Sequence, residues 1–383
     1  MPQPLSHPDL RRRNLSLLLG TLLRSGDTTR KQIEQDSGLS KATVSRLVDE
    51  LIELGLVERA PATNEPQGRG RRPDSLSVPA GLGQVIGITF GVRRTVVLAT
   101  DLACRGFYHE AVPTPQWESA EQAIAWLCER VAEARRHSDA PLRCVAIAVP
   151  ARVVDGEIVH PPLSMSVLES HALAAELSEA LDTEVVLDSD ANMALSGLIA
   201  EGVIGEHEAP FLLNMGTVLT VASRRIDGST VRGHTDSFGN FSLIPFHWET
   251  GDSTLGAMLS THGLEQYCER LGYELEQLPD LWERPEPRTE PVRRAFTEAV
   301  LNALRIVCIT ADPPLVLLVG RLMPLVDLVL PQVLERLGAE ISELPRVLSL
   351  PLFGTSHSPA HGAVHIALDR VHAQLREQLL RGE

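Results

Sequence analysis

Residues 37–60 read SGLSKATVSRLVDELIELGLVERA, and this stretch decides the fold of the first part of the chain. Ser40 is placed as the N-cap of a helix that ends at Gly55. Five apolar residues share one face of that helix: Val44, Leu47, Val48, Leu51 and Leu54. The preceding TRKQIEQDSG predicts a shorter helix that ends at Gly38. Two helices joined by so short a turn predict a helix-turn-helix, whose second helix can enter a DNA major groove.

The polar residues of the second helix indicate which end meets DNA. Its first turns carry small or basic hydrogen-bond donors: Ser40, Lys41, Thr43, Ser45 and Arg46. Asp49, Glu50 and Glu53 follow, and carboxylates repel phosphate. The helix is therefore expected to dock through its N-terminal half.

The flanking segments complete a winged helix. An earlier helix is expected to start at Asp9 as N-cap and to end before Gly26. After Gly55, LVERA and SLSVP predict two short strands around a loop that contains three arginines, Arg69, Arg71 and Arg72. Such a cationic loop is suited to the minor groove, although a charge run alone is often only a solvated surface.

Charge is distributed unevenly along the 383 residues. The net charge is −15, which taken alone argues against a nucleic-acid partner. Residues 1–75, however, hold 12 Lys and Arg against 10 Asp and Glu, and they contain both lysines of the chain, Lys31 and Lys41. A slightly basic head on an acidic body predicts that only the head touches a polyanion.

Composition bounds the protein class. The chain has no run of eighteen apolar residues and no signal-peptide core, so we expect a cytoplasmic protein without membrane contact. Five scattered cysteines contain no C-x-x-C pair, and we expect them to be buried thiols.

Beyond residue 82 strands and helices alternate, first as three consecutive strands and then as alternating elements, and this order occurs twice. The pattern predicts a two-lobed α/β body with a ligand cleft between the lobes. Within it, GVRRT at 91–95 is typical of a tight hairpin between two strands, while its arginines could still meet an anion.

The stretch 37–60 followed by GRGRRP at 68–73 resembles the N-terminal winged helix of ROK-family regulators (repressor, open reading frame, kinase). The resemblance implies DNA contacts at two sets of positions. These are Ser40, Lys41, Ala42, Thr43, Ser45 and Arg46 in the helix, and Arg69, Arg71 and Arg72 in the wing.

The body resembles ROK kinases, which have the actin and hexokinase fold and bind ATP and a sugar in the cleft. Their phosphate turn G-x-D-x-G-G-T is altered here, because Thr89, Val92 and Arg93 replace its Asp, second Gly and Thr. Their second phosphate loop survives only as Gly216 and Thr217. The resemblance therefore implies no bound ATP and no catalytic residues.

The sugar side of the cleft is partly retained. The family's N-D-A-N run reads Ser189-Asp190-Ala191-Asn192, and Asn240 stands where the family has Glu. Asp190 is expected either to accept from ligand hydroxyls or to cap the following helix. The family's zinc site is not retained, and His247, Glu249, Asp252 and His262 are interpreted as solvated loop residues rather than ligands.

These observations predict a winged helix-turn-helix over 1–80 and a ROK-like body over 81–383. Lobe one would span about 81–203 with the final helix 359–383, and lobe two about 204–358. The predicted function is a non-enzymatic regulator, a repressor of sugar or related metabolite genes, that binds operator DNA as a homodimer or homotetramer. It needs no cofactor or metal and senses a sugar or sugar derivative through Ser189, Asp190, Asn192 and Asn240. Two alternatives stay open: a sugar kinase with an unusual nucleotide site, and a regulator that responds to a protein partner or a non-sugar ligand.

Overall fold

A computed structural model describes residues 7–60, 75–205, 207–234, 238–249, 251–270, 272, 287–350 and 358–382. The chain begins with a winged helix. Its elements are α1 (His7–Ser25), β1 (Thr28–Thr29), α2 (Arg30–Ser37), α3 (Lys41–Glu53), β2 (Glu58–Ala60) and β3 (Ser75–Ser77). The strands form one antiparallel sheet in the order β1-β3-β2. The helix-turn-helix expected from the sequence is thereby confirmed.

Local sequence signals set the ends of these helices, but two residues, Asp9 and Leu54, differ from what the sequence predicts. Ser40 caps α3, and Gly38 ends α2 in the left-handed conformation at a φ of 68°. Asp9, however, is not an N-cap, because α1 already begins at His7 and Asp9 lies in its first turn. Leu54 is also not a core residue: it follows the last turn of α3 and is 54% exposed.

The first lobe of the body is a five-stranded mixed sheet of order β10-β7-β4-β5-β6. Its strands are β4 (Gln84–Phe90), β5 (Arg94–Asp101), β6 (Gly106–Pro113), β7 (Leu142–Val149) and β10 (Glu184–Ser189). The sequence RCVAIAVPARVV does not continue as one strand past Val149. It turns instead into a small hairpin, β8 (Arg152–Val154) and β9 (Glu157–Val159), because Pro150 cannot donate to the ladder.

Apolar side chains cover both faces of this sheet. One face packs on α4 (Ala120–Arg135) and α5 (Leu173–Leu181). The other face packs on the C-terminal helix α11 (Pro359–Arg381). The hairpin expected at GVRRT is confirmed, since β4 and β5 pair antiparallel from Gln84↔Asp101 to Phe90↔Thr95.

The second lobe is a four-stranded sheet of order β12-β11-β15-β16. Its strands are β11 (Pro210–Met215), β12 (Leu219–Ser223), β15 (Leu315–Val319) and β16 (Arg346–Leu350). The hairpin β13 (Pro245–Trp248) and β14 (Gly251–Thr254) precedes the helices of this lobe. These are α7 (Leu255–Met258), α8 (Thr261–Arg270), α9 (Glu290–Thr310) and α10 (Met323–Glu340). The two-lobed α/β architecture agrees with the expected fold class.

Helix α6 (Asp190–Ala200) lies where the two lobes meet. Ala191, Leu195 and Leu198 pack toward the second sheet, whereas Met193 belongs to the core beneath α11. The crossing of α6 and α11 is close enough to require glycine. A Cβ on Gly362 would lie 1.7 Å from the backbone oxygen of Met193.

One hydrophobic core joins the winged helix to the body. It contains Leu18 and Leu22 of α1, Leu47 of α3, and Val364 and Val371 of α11. Helix α1 packs along α11, where Gly20 meets the side chain of Arg376. The winged helix is therefore packed against the body rather than tethered to it.

Two further expectations can be compared with the structure. Cys144, Cys268 and Cys308 are buried, but Cys104 is exposed and was wrongly expected to be buried. No helix in the described ranges is both long and apolar enough to cross a bilayer.

Candidate functional site

The first two turns of α3 present polar side chains to solvent. Ser40 Oγ accepts from the backbone N–H of Thr43 at 3.3 Å, and the two hydroxyl oxygens lie 2.9 Å apart. Lys41, Ala42 and Arg46 are exposed, while Thr43 and Ser45 are half-buried. The structure thus brings the helix positions expected to contact DNA onto one end of α3.

The two ends of this helix differ in whether their charged side chains form ion pairs. Among the described residues, Lys41 and Arg46 form no ion pair. At the other end, Arg30 Nη2 lies 2.5 Å from Asp49 Oδ1, and Arg11 Nη2 lies 2.6 Å from Glu50 Oε1. These acidic residues are therefore partly neutralised within the head, which lowers the repulsion of phosphate expected from the sequence.

The wing arginines Arg69, Arg71 and Arg72 lie in 61–74, outside the described residues. The strands on either side of that segment pair antiparallel, with Glu58 opposite Ser77 and Ala60 opposite Ser75. The described residues that flank this segment, Ala60 and Ser75, are consequently paired in the sheet of the winged helix.

Two cavities lie in the cleft between the two lobes, and the larger of these two has a volume of about 310 Å³. Three of the four residues predicted to bind a ligand line it: Ser189, Asn192 and Asn240. Asp188, Arg232 and Thr220 also line it, and the sequence interpretation missed all three. A cavity of this size is in the range that holds a small organic ligand.

Asp188 organises one wall of this cavity. It is at the carboxyl end of β10, and its Oδ2 accepts from Arg232 Nη2 at 2.6 Å. Its Oδ1 accepts from Asn192 Nδ2 at 2.8 Å and from the Ser189 backbone N–H at 2.7 Å. Its place at a strand end, where parallel sheets bind ligands, is the sequence signal that would have identified it.

Asp190 does not cap α6, because Ser189 does so with its Oγ accepting from the Asn192 backbone N–H at 3.2 Å. The capping alternative for Asp190 was therefore wrong. Instead, Oδ1 accepts from Thr220 Oγ1 at 2.6 Å, and Oδ2 accepts from Asn214 Nδ2 at 3.0 Å. Thr220 and Asn214 are a cross-strand pair of β11 and β12, a non-local contact with no local sequence signal.

The electrostatics of Asp190 follow from its depth. Desolvation raises the pKa of this carboxyl to about 6, although the hydrogen bonds from Thr220 and Asn214 act in the opposite direction. Part of the side chain lines a second, smaller cavity next to the first. Asp190 thus stands between the two cavities, with Thr220 on the side of the larger one.

The smaller cavity has a volume of about 50 Å³ and is lined on one side by the β4–β5 hairpin. Thr89 and three arginines, Arg93, Arg94 and Arg321, contribute to its wall. Arg93 also reaches Glu265, with Nη2 and Oε2 2.7 Å apart. Thr89 offers a hydroxyl instead of a carboxylate for magnesium, and the β-branched side chain of Val92 obstructs the backbone amides of the turn. The cavity is therefore poorly suited to magnesium and a nucleoside triphosphate.

The residues considered for zinc pair with other partners. His247 Nδ1 lies 2.8 Å from Asp252 Oδ1 across the β13–β14 hairpin, so these two residues are in strands and not in a loop. Glu249 pairs with Arg294, and His262 Nε2 lies 3.1 Å from Gln266 Nε2. Over the ranges that the structure describes, no three histidine, cysteine or carboxylate side chains converge to hold a metal ion.

Both parts of the chain match known protein families. Residues 16–70 match the MarR family, and residues 85–234 match the ROK family. The protein is thus a winged helix-turn-helix joined to a two-lobed body of the actin and hexokinase type. Residues 85–234 thus lie in a ROK-type domain, and a MarR-type winged helix precedes that domain.

Individual relatives resemble different extents of the chain. The xylose repressor of Caldicellulosiruptor bescii is 26% identical over 208 residues, which are 52% of this chain and 50% of the repressor. The match therefore spans about half the length of that relative.

Solved structures show the same fold over more of the chain. A ROK family transcriptional regulator, a homologue of the E. coli MLC protein, has a TM-score of 0.67 at 15% identity. That comparison covers 98% of this chain and 100% of the regulator. A ROK family glucokinase from Streptomyces griseus, in complex with glucose and AMPPNP, has a TM-score of 0.59 at 18% identity. It covers 74% of this chain and 98% of the kinase.

Proposed function

We propose that this protein is a transcriptional repressor of genes for sugar or related metabolites. Residues 1–80 bind operator DNA, and residues 81–383 sense an effector and support oligomerisation. In this assignment lobe one comprises about 81–203 with 359–383, and lobe two about 204–358. The observation that carries the proposal is the exposed N-terminal half of α3, where Lys41 and Arg46 have no ion pair among the described residues.

DNA recognition in this proposal uses both grooves. Lys41 and Arg46 contact phosphates or base edges in the major groove, together with the short side chains of Ser40, Thr43 and Ser45. Ala42 provides an apolar surface for a thymine methyl group. The wing arginines Arg69, Arg71 and Arg72 reach the adjacent minor groove.

Oligomerisation follows from the way such helices read DNA. A symmetric dimer, alone or within a tetramer, would set two copies of α3 about 34 Å apart on a pseudopalindrome. A regulator of this kind acts in the cytoplasm, where its operator lies. The repressor assignment is supported by the likeness to the xylose repressor of C. bescii.

The effector site is the larger cavity. Its wall offers hydrogen-bonding groups from Ser189, Asn192, Asn240 and Asp188, which suit a polyhydroxylated ligand. In a sugar kinase the carboxylate at position 190 would accept a proton from the substrate, and a pKa near 6 favours that second candidate function. Both oxygens of Asp190, however, accept hydrogen bonds from the protein.

A gel-shift assay tests the repressor proposal. The probe is the DNA upstream of the protein's own gene and of its neighbours. A panel of neutral and phosphorylated sugars is then added to find one that releases the protein from this DNA. A specific shift that one sugar abolishes supports repression relieved by an effector. Absence of any specific shift over these regions contradicts the proposal.

The kinase alternative has its own measurement. A ligand at 100 times its dissociation constant stabilises a protein by about 2.7 kcal/mol. We expect no rise in melting temperature with ATP and magnesium, and no sugar-dependent ADP formation. Magnesium-dependent ADP formation that disappears in Asp190→Asn would establish the kinase instead.

A further inference from the structure

The line of contact between α1 and α11 carries arginine side chains from both helices. Arg12 Nη2 would lie 2.8 Å from a Cβ added at Gly382, at the end of α11. Arg376 Nε would lie 3.2 Å from a Cβ added at Gly20, in the middle of α1. The two helices therefore run in opposite directions, and each of these guanidinium groups reaches across to the other helix.

Two more arginines of α1 lie along the same contact. Arg13 precedes Gly20 by seven residues, and Arg24 follows it by four, so all three residues share one face of the helix. The side chains of Arg12, Arg13, Arg24 and Arg376 are all exposed. These four residues are called the cationic seam below. At a rise of about 1.5 Å per residue, the seam extends about 18 Å along α1.

The charges of the cationic seam are not paired. Among the described residues, none of its four arginines forms an ion pair, and Asp369 of α11 lies near Arg24 without pairing with it. Other arginines of α11 do have partners, since Arg370 pairs with Glu184 and Arg381 with Glu377. Exposed, unpaired cations close together on a chain with a net charge of −15 indicate a surface for an anionic partner.

The cationic seam is continuous with the recognition helix. Arg11, the residue before its first arginine, pairs with Glu50 of α3. Glu50 is nine residues from Lys41, or about 14 Å along α3. The major groove is about 12 Å wide and is bordered on both sides by phosphates, so a helix that enters it by its N-terminal half has phosphates beside its other half. The positive surface of the winged helix thus extends past the bases that α3 can reach.

We propose that the cationic seam binds phosphate groups of the DNA duplex outside the base pairs that α3 reads. Such contacts raise the affinity for every sequence and carry no base information. The sequence predicts that only the winged helix touches a polyanion, whereas Arg376 belongs to the body and would touch DNA as well. A movement of α11 would then change the DNA contacts directly. This inference rests on the proposed function, because it takes DNA as the partner of α3.

The test is the salt dependence of binding to the DNA upstream of the protein's own gene, measured by fluorescence anisotropy with the full-length protein. Each phosphate contact contributes about 0.9 to the slope of log K against log salt concentration on B-DNA. Arg12→Gln, Arg13→Gln and Arg376→Gln combined should lower the magnitude of this slope by about 2 to 3 and weaken binding at least about tenfold near 0.1 M salt. Arg13→Gln alone should lower it by about 1.

Two further variants separate the seam from net charge and from packing. Arg136→Gln, Arg225→Gln and Arg346→Gln combined remove three exposed positive charges from parts of the body away from the seam, and should bind as the wild type does. The triple lysine variant of the seam keeps the charges but loses the planar guanidinium groups. Its slope should equal that of the wild type, because a phosphate contact needs the charge, whereas a structural role of the guanidinium would not be restored.

The outcomes distinguish the seam from the repressor proposal. Equal slopes of the wild type and the triple glutamine variant overturn the seam and leave the repressor proposal intact. A slope lowered equally in the control variant also overturns it, because net charge would then be the cause. If the glutamine variant changes the sedimenting mass at an unchanged slope, the seam joins copies of the chain and does not bind DNA. A wild type that binds none of the upstream DNA overturns both proposals.

Discussion

Charged side chains are exposed in the first two turns of α3 but hydrogen-bonded to other protein groups in the interlobe cleft. In the head, Lys41 and Arg46 extend into solvent and form no ion pair within the described part of the chain. In the cleft, Asp188 and Asp190 accept hydrogen bonds from several protein groups. A charge that is left exposed is available to a large polyanion, whereas a bonded charge sets the shape of a cavity for a small ligand. The comparison therefore separates the surface that we propose binds DNA from the site that we propose binds an effector.

These two regions are connected through α11. That helix packs against α1 of the winged helix, and it crosses α6, which begins at Asp190 in the cleft. Gly87 of β4 faces the same helix, since a Cβ there would lie 2.5 Å from the Ala360 oxygen. A ligand that shifts α6 would press on α11, so a mechanical route from effector to DNA exists if both helices have two arrangements.

The largest expected effect comes from breaking this connection. Gly362→Leu places a side chain against the backbone of Met193 and should destabilise the protein by at least about 3 kcal/mol, because backbone atoms cannot move aside cheaply. Thermal unfolding measures this loss. Gly338→Ala in α10 is the matched control, since only Leu344 Cδ1 at 3.6 Å is near, and it should be neutral or slightly stabilising. Equal melting temperatures of Gly362→Leu and the wild type would contradict the close crossing of α6 and α11.

The next effect tests the DNA side of the comparison. Lys41→Ala combined with Arg46→Ala should weaken operator binding by about 100-fold, since each lost contact costs about 1–3 kcal/mol. The melting temperature should stay within a few degrees of the wild type, because both side chains are exposed. Fluorescence anisotropy gives the affinity, and Arg136→Ala controls for the loss of one positive charge. Full operator affinity in the double variant would remove α3 from the DNA interface.

A third effect tests the cleft side. Asp188→Ala releases Asn192 and Arg232, so the larger cavity loses the arrangement of one wall. The sugar concentration that half-releases DNA should rise at least about tenfold, while DNA affinity without sugar stays unchanged. Asp227→Ala is the control, because that aspartate is bonded to Ser229 in an exposed turn of lobe two. An unchanged sugar response in Asp188→Ala would show that the effector binds elsewhere.

The smallest effect is a pH dependence. Burial raises the pKa of Asp190 from 3.8 to about 6, so the folded protein keeps a proton there that the unfolded chain releases. The stability contributed by this proton is full below about pH 4 and is lost as pH rises to 6. Asp190→Asn carries no such charge. The stability of this variant relative to the wild type should therefore rise between pH 4 and 6 and then level off, as followed by melting temperature. The change in unfolding free energy should be on the order of 1 kcal/mol, since solvent screening is not negligible for a side chain that partly lines a cavity. A constant difference across this range would contradict the raised pKa.

Much of the fold could be predicted because its signals are local. Ser40 caps α3 and Gly38 ends α2, since both act on the next turn of the same helix. Periodicity gave most strands and helices of the body for the same reason. It failed at Leu54, which continues the apolar pattern of α3 past the end of the helix and is therefore exposed. The apolar periodicity of a sequence does not show at which residue neighbouring elements cease to cover a helix.

Local sequence signals predicted less of the cleft. Ser189, Asn192 and Asn240 were found through their resemblance to a family pattern, and they line one cavity. Arg232 and Asp188 are 44 residues apart, and Thr220 and Asp190 are 30 apart, so their contacts depend on how the lobes fold together. The capping alternative for Asp190 was wrong, because Ser189 directly precedes the first helical residue and occupies the N-cap position.

The most direct test of the central claim compares two duplexes. Anisotropy titrations of the wild-type protein at 0.15 M salt would use the DNA upstream of its gene and a scrambled duplex of the same composition. We expect binding at least about 1,000-fold tighter to the upstream duplex, as is typical of specific DNA-binding proteins. Equal affinity for the two duplexes would contradict it, since a regulator that does not distinguish its operator cannot act on particular genes.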